Sequence, residues 1–169
     1  INAALPTVKY LLDHGAAGDG TTLDSKAIQT AIDKCAAEGG GRVVLGGGRV
    51  YLSGGLVLRS NVTLLIDAGT VLRGSLNKDD YPDFTPQLPY LYSERFTRYL
   101  IYAEKEHNIG LAGQGVIDGQ GTHEVFDYKL NPGDKDRPYI LRFVECTNVL
   151  VRDVTMLESA RWCSHYLAC

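Results

Sequence analysis

Three stretches of the chain repeat one another, and this repeat restricts the fold more than any other feature. Ser60-Asn61-Val62-Thr63-Leu64, His107-Asn108-Ile109-Gly110-Leu111 and Thr147-Asn148-Val149-Leu150-Val151 share a polar residue, an asparagine, a β-branched residue and then alternating apolar positions. A second turn signal follows the first two copies at a similar offset, Ala68-Gly69-Thr70-Val71 and Gln114-Gly115-Val116-Ile117. Short strand units of this kind cannot bury an apolar face singly, whereas stacking them as coils of a parallel solenoid builds a continuous core. The asparagines lie 47 and 40 residues apart, and Cys146 and Cys169 lie 23 apart. A coil of about 23 residues makes the second interval one coil plus a loop, supplied by the polar stretch Asn131–Arg137. The first interval is either two bare coils or one coil plus an excursion at Lys78–Tyr92. That stretch is rich in Pro, Tyr and Asp and has no strand pattern, which favours the excursion. Coils stack about 4.8 Å apart, so an inward asparagine at each turn would bond its neighbours' backbone. Three unrelated turn asparagines are the plainer alternative.

The rest of the pattern agrees with a solenoid. Segments Arg42–Leu45, Val50–Leu52, Leu56–Leu58, Val62–Ile66, Ile109–Ala112, Val116–Asp118, Tyr139–Phe143, Val149–Val151 and Val154–Leu157 are rich in Val, Leu and Ile and separated by turns. One helix is expected, from about Asp24 to Glu38, with Ile28, Ala31, Ile32, Cys35 and Ala36 on one face. Asp24 or Ser25 would cap its start, and Gly39-Gly40-Gly41 would stop it. With no second strong helix, a doubly wound α/β sheet is excluded, and the helix is left to cap the open end of the core. Stacking would also make Cys146 and Cys169 neighbours with nearly parallel Cβ vectors, which suits free buried thiols better than a bridge.

Composition removes several function classes. Lys and Arg total 17 against 20 Asp and Glu, a net charge of −3, so neither a nucleic-acid nor an anionic-lipid partner is expected. No apolar run approaches the roughly 20 residues of a membrane span. No signal peptide is visible, which leaves a removed one open. Four irregularly spaced cysteines form neither a disulfide scaffold nor a C-x-x-C site.

Taken residue by residue, the chemistry is sparse. Gly113-Gln114-Gly115 with Gly119 imitates a dinucleotide fingerprint, but no helix starts there to hold a pyrophosphate. Gly46-Gly47-Gly48-Arg49 lacks the Lys-Ser/Thr of a phosphate loop. Asp79-Asp80 falls in the polar excursion, and Asp118 sits beside glycine, where bonding backbone amides explains it. Asp13, Asp19 and Asp24 flank the helix start as caps, and His14, His107, His123 and His165 show no metal spacing. These residues alone describe a β-solenoid of undetermined function.

A family resemblance adds to this. Gly15-Ala16-Ala17-Gly18-Asp19-Gly20-Thr21-Thr22-Leu23-Asp24, with Ala27-Ile28-Gln29 and Gly39-Gly40-Gly41, resembles the entry segment of family 28 glycoside hydrolases, the polygalacturonases and relatives. Leu56 to Leu64, Gly113 to Gly121, Arg137-Pro138-Tyr139-Ile140 and Ser159 to Cys169 are similar to later parts of that family. The likeness runs over nearly the whole chain, although pectate-lyase-like relatives share the entry motif. It implies an all-β fold, a right-handed parallel β-helix with an N-terminal capping α-helix, of which residues 1–169 are the N-terminal part, truncated on the C-terminal side. It also implies an inverting hydrolase of pectin-like, galacturonate-containing polysaccharide, secreted or periplasmic, needing no metal and no cofactor. The family's signatures (Asn-Thr-Asp, Asp-Asp, Gly-His-Gly, Arg-Ile-Lys) are absent, so no catalytic residue is assigned. Trp162 and His165 fall on the coil just before those motifs and would border the substrate cleft, with packing as the alternative for each. Arg137 would face a uronate, or else merely restart a strand before Pro138. A non-catalytic carbohydrate-binding or tailspike-like module, and a calcium-using lyase, are the competing readings.

Overall fold

The structure, a computed structural model, describes residues 8–10, 14–88, 96–133 and 135–169. The strands, in chain order, are β1 (Val8–Tyr10), β2 (Asp19–Leu23), β3 (Gly41–Leu45), β4 (Val50–Ser53), β5 (Leu56–Val57), β6 (Val62–Ile66), β7 (Val71–Gly74), β8 (Tyr99–Glu104), β9 (His107–Ala112), β10 (Val116–Asp118), β11 (Tyr139–Val144), β12 (Thr147–Arg152), β13 (Thr155–Leu157) and β14 (Ser164–Leu167). Helix α1 is Ser25–Ala37, between β2 and β3. All pairings are parallel, and they sort the strands into three sheets: β1-β3-β6-β9-β12, β2-β4-β7-β10-β13 and β5-β8-β11-β14. The chain visits the sheets in turn, one strand from each per coil, which is a three-sided parallel β-solenoid. In the first coil α1 comes where the later coils place a third-sheet strand.

The helix closes the core as expected, by a mechanism its sequence does not announce. Ile28, Ala31, Ile32 and Cys35 are buried against β3, β5 and β6. Gln29 then treats the free edge of β5 as a strand would: its Nε2 donates to the Val57 carbonyl (3.0 Å) and its Oε1 accepts from the Val57 N–H (2.8 Å). An edge that would otherwise be left unpaired is thereby satisfied. The capping expectation needs correction. The Asp24 carboxylate makes no bond to a helix N–H; it is buried and accepts from Ala17 N (2.7 Å) and Gly18 N (3.0 Å), pinning the preceding loop. Ser25 Oγ accepts from Gly54 N instead (2.7 Å). Asp19 holds its own turn, accepting from the Thr21 and Thr22 amides, and those bonds depress its carboxyl pKa. Asp13 lies outside the described residues.

The repeat arithmetic holds. Thr63 pairs with Gly110, and Val149 with Ile109, so each asparagine interval is a single coil. Between residues 74 and 99 the chain leaves the solenoid, and among the described residues of this stretch the one regular element is a short 3₁₀ turn at Lys78–Asp80; residues 89–92 of the expected excursion lie outside the described residues. The asparagines do stack: Asn108 Nδ2 donates to Asn61 Oδ1 (2.8 Å), and Asn148 Nδ2 to Asn108 Oδ1 (2.7 Å). Their expected inward orientation is wrong. All three are exposed and bond side chain to side chain at φ of 64°, 54° and 52°, a left-handed conformation that asparagine tolerates better than most residues. Turning the corner between sheets demands that conformation, and it aims the side chain outward.

The register Leu141–Ser164 and Val144–Leu167 confirms the 23-residue offset that stacks Cys146 on Cys169. None of the four cysteines is in a disulfide; Cys146 is buried, but Cys169 is exposed, contrary to the expected buried pair. Strands β8 and β14 escaped the sequence pattern, because Tyr99, Tyr102, His165 and Tyr166 interrupt the aliphatic signal.

Candidate functional site

The third sheet sends its side chains to two environments, alternating along the strands except at Leu100 and Ile140, which join the core beside Ile101 and Leu141. Ile101, Ala103, Leu141 and Phe143 point into the solenoid core. Tyr99, Tyr102, Tyr139 and Val144 form a second apolar cluster on the outer face, where Phe84, Leu88, Phe96 and Leu167 pack against them. The excursion after β7 supplies Phe84, Leu88 and Phe96, so it roofs part of this face. The fingerprint-like glycines serve the stacking of coils instead: a Cβ on Gly113 would lie 2.0 Å from the Ile66 carbonyl oxygen. They form no nucleotide site.

Register gives the outer face its chemistry. Tyr102, Arg142 and His165 occupy equivalent places on β8, β11 and β14. Tyr99 and Tyr139 form a second row, which the same offset continues to Trp162. Ring centroids lie 5.2 Å apart for Tyr99–Tyr139, 5.8 Å for Tyr139–Trp162 and 5.6 Å for Trp162–His165. Trp162 is 50% exposed, with its carbonyl held by Ser159 Oγ (2.9 Å), so about half of its surface meets solvent. His165 is half-buried; burial first, and the Arg142 charge second, lower its pKa, leaving a neutral imidazole at neutral pH. Tyr99 is pushed up to about 12, by burial against the partial opposition of Arg142, and the Tyr102 phenol is pushed up by burial and by its hydrogen bond to Glu104.

Arginines gather around these rings. Arg161 lies 3.2 Å above the Phe96 ring and 5.9 Å from that of Tyr139, and Arg142 sits 5.2 Å from the Tyr99 ring. Arg98 donates to the Tyr81 carbonyl and lies 3.5 Å from Asp136. Arg137 stacks on Tyr128 (5.1 Å) and donates to the Ala160 carbonyl (3.3 Å), bridging the loop before β11 to the next coil. The sequence reading singled out Trp162, His165 and Arg137; Trp162 and His165 are in mutual contact, and Arg137 is at the margin. It missed Arg142 and Arg161. The available signal for Arg142 was a charge inside the otherwise uncharged strand Tyr-Ile-Leu-Arg-Phe-Val.

The acidic candidates lie elsewhere. Asp118, on the second sheet, accepts from Gln120 N (2.9 Å) and pairs with Arg73 (3.5 Å). Asp80 accepts from Ser75 Oγ, and its carbonyl takes the Gly55 N–H (3.1 Å), so Asp79-Asp80 ties the excursion down. Among the described residues no group of His, Cys, Asp and Glu could hold a metal ion, and no helix is long and apolar enough to cross a membrane.

No family model matches the chain. It is 37% identical over 144 residues to an exo-poly-α-D-galacturonosidase of Dickeya chrysanthemi, an alignment covering 81% of this chain and 23% of that protein. The exopolygalacturonase of Thermotoga maritima superposes with a TM-score of 0.80 at 26% identity, over 96% of this chain and 44% of its own. The family 28 exopolygalacturonase of Yersinia enterocolitica gives 0.70 at 28% identity, over 89% and 34%. The chain thus spans about a quarter of the curated relative's length and less than half of each solved structure. Its three-sheet solenoid has the right-handed parallel β-helix architecture of those enzymes, and with sequence likeness over most of its length the chain belongs to the polygalacturonases, family 28 of the glycoside hydrolases.

Proposed function

We propose that residues 1–169 form the N-terminal portion of the single β-helix domain of an exported, pectin-degrading hydrolase that cleaves galacturonate-containing polysaccharide with inversion. The observation that carries this reading is the outer face of the third sheet, where the exposed Trp162 ring, packed on a row of buried tyrosines, lies among arginines on a scaffold shared with polygalacturonases. Sugar rings stack on aromatic faces, and a polyuronate presents one carboxylate per residue, so such a face suits this polymer. Trp162 and His165 contact the sugar chain, and Arg137 adds positive charge at the margin. Inverting hydrolysis needs two carboxyl groups about 6.5–9.5 Å apart, one protonating the leaving oxygen and one activating water. No residue of this chain is assigned either role; these carboxylates belong to further coils of the enzyme.

The test compares the 169-residue chain with the same sequence extended by its downstream coils. The chain alone is expected to release no reducing ends from polygalacturonate, since losing acid and base assistance forfeits on the order of 10²–10⁴ each. The extended protein is expected to hydrolyse it, with inverted anomers seen by NMR and no loss in chelator. Unsaturated products would assign a lyase instead. Comparable rates from both proteins would place the chemistry in these coils and overturn the reading.

A further inference from the structure

We propose that Arg142 is a carboxylate-binding residue, whose guanidinium edge formed by Nε and Nη2 receives the carboxylate of an acidic sugar laid across the outer face of the third sheet. The inference rests on the polygalacturonase reading and names a recognition residue within it. Arg142 is only 2% exposed, midway along a strand whose other five residues carry no charge. A buried guanidinium is expensive to desolvate and is ordinarily held by an acid. Among the described residues no carboxylate forms an ion pair with Arg142.

What holds it instead leaves one edge unbonded among the described residues. Nη1 donates to Tyr99 Oη, and the guanidinium carbon lies 5.2 Å from the centre of the Tyr99 ring. Nε and Nη2 are buried and, among the described residues, have no hydrogen-bond partner. These two nitrogens present parallel N–H groups along one edge, spaced to meet both oxygens of a carboxylate at once. Tyr99 therefore orients the group while using neither donor of that edge. The surroundings suit a sugar acid. His165 follows Arg142 in register on the next strand, and Trp162 stands 5.6 Å from His165 with half its surface free for a pyranose ring. A sugar that stacks on Trp162 and moves the His165 ring aside brings its carboxylate to this edge.

The experiment titrates trigalacturonate and its fully methyl-esterified form into the 169-residue chain by calorimetry, and follows unliganded Tm for each variant. The wild type is expected to bind the acid about tenfold or more tightly than the ester, the difference a charged bidentate pair makes. Arg142→Met is expected to bind the acid only as weakly as the ester, with Tm unchanged or raised, because a buried unpaired charge has been replaced by an apolar chain of similar length. Arg142→Lys, which keeps the charge but not the edge, is expected to recover little of the preference. Equal wild-type affinity for acid and ester refutes the proposal and leaves the polygalacturonase reading standing. So does a preference that survives in both variants, or an Arg142→Met chain that no longer folds alongside an Arg142→Lys chain with full preference. Conversely, Arg142-dependent binding of triglucuronate without binding of trigalacturonate keeps the carboxylate site and refutes the polygalacturonase reading.

Discussion

Two rows of side chains run up this solenoid, and they differ in kind. At the corner leading into the first sheet the positions are Gly40, Asn61, Asn108 and Asn148, with three identical side chains each bonded to the next. On the outer face of the third sheet they are Val57, Tyr102, Arg142 and His165, no two alike. The first row is self-sufficient: every coil needs a positive-φ turn, which glycine answers in the first and asparagine in the next three. In the second, nothing about stacking requires an arginine between a tyrosine and a histidine, and two of its donors have no partner among the described residues. Periodicity in a solenoid reports what the fold demands. Breaks in it, where a polar group is buried at a cost, report demands the fold does not make.

The sharpest way to break this comparison lies at the foot of the corner row. Gly40 has φ +102°, and a Cβ there would lie 2.4 Å from the Asn61 carbonyl oxygen, a backbone atom that cannot turn aside. Gly40→Ala is expected to cost roughly 3 kcal/mol, combining left-handed strain with overpacking. Urea unfolding measures it. A loss below about 0.5 kcal/mol, within the range of ordinary surface changes, would show that the corner is not a rigid element.

A smaller effect separates the two contributions inside the ladder. Asn108 both donates to Asn61 and accepts from Asn148, at φ 54°. Asn108→Ala loses the bonds and is strained, which should cost about 1–2 kcal/mol, whereas Asn108→Gly loses only the bonds and should cost about half as much. Equal losses would mean that the hydrogen bonds, and not the backbone, select asparagine. Arg142→Met is the matching change in the aperiodic row, and it is expected to leave unliganded stability intact.

This contrast also explains what could be read without coordinates. Strand β6 was found residue for residue and β10 likewise, because each is a bare run of strand-forming residues next to a glycine turn. The single-coil spacing of the asparagines followed from counting. Their exposure did not, since period-two reasoning fixes alternation within a strand but not the direction of a left-handed corner residue just before it. Strand β14, with Trp162 just ahead of it, was visible only through family likeness, and Arg142 was hidden in a strand that its apolar neighbours already explained. The role of Gln29 as a substitute strand depends on where α1 sits, which no local pattern encodes.

The smallest expected effect is a titration. The pKa of His165 is lowered by burial and by Arg142 on the neighbouring strand, while Tyr139 and Trp162 face it as uncharged rings. The unfolded chain therefore takes up this proton at a higher pH than the folded one. Stability is unaffected by the group well above the ordinary histidine value of about 6.5, and declines as pH falls from there toward the lowered folded pKa. Trp162 is the chain's one tryptophan, so its emission reports the neighbouring imidazole directly. Quenching by the protonated ring should appear with a midpoint below 6.5 and vanish in His165→Gln. In Arg142→Met the midpoint should move up, but only part of the way, because burial is the larger cause and remains. A midpoint unchanged by that substitution would mean that the guanidinium does not act on His165, and that the two residues share a row without sharing a site.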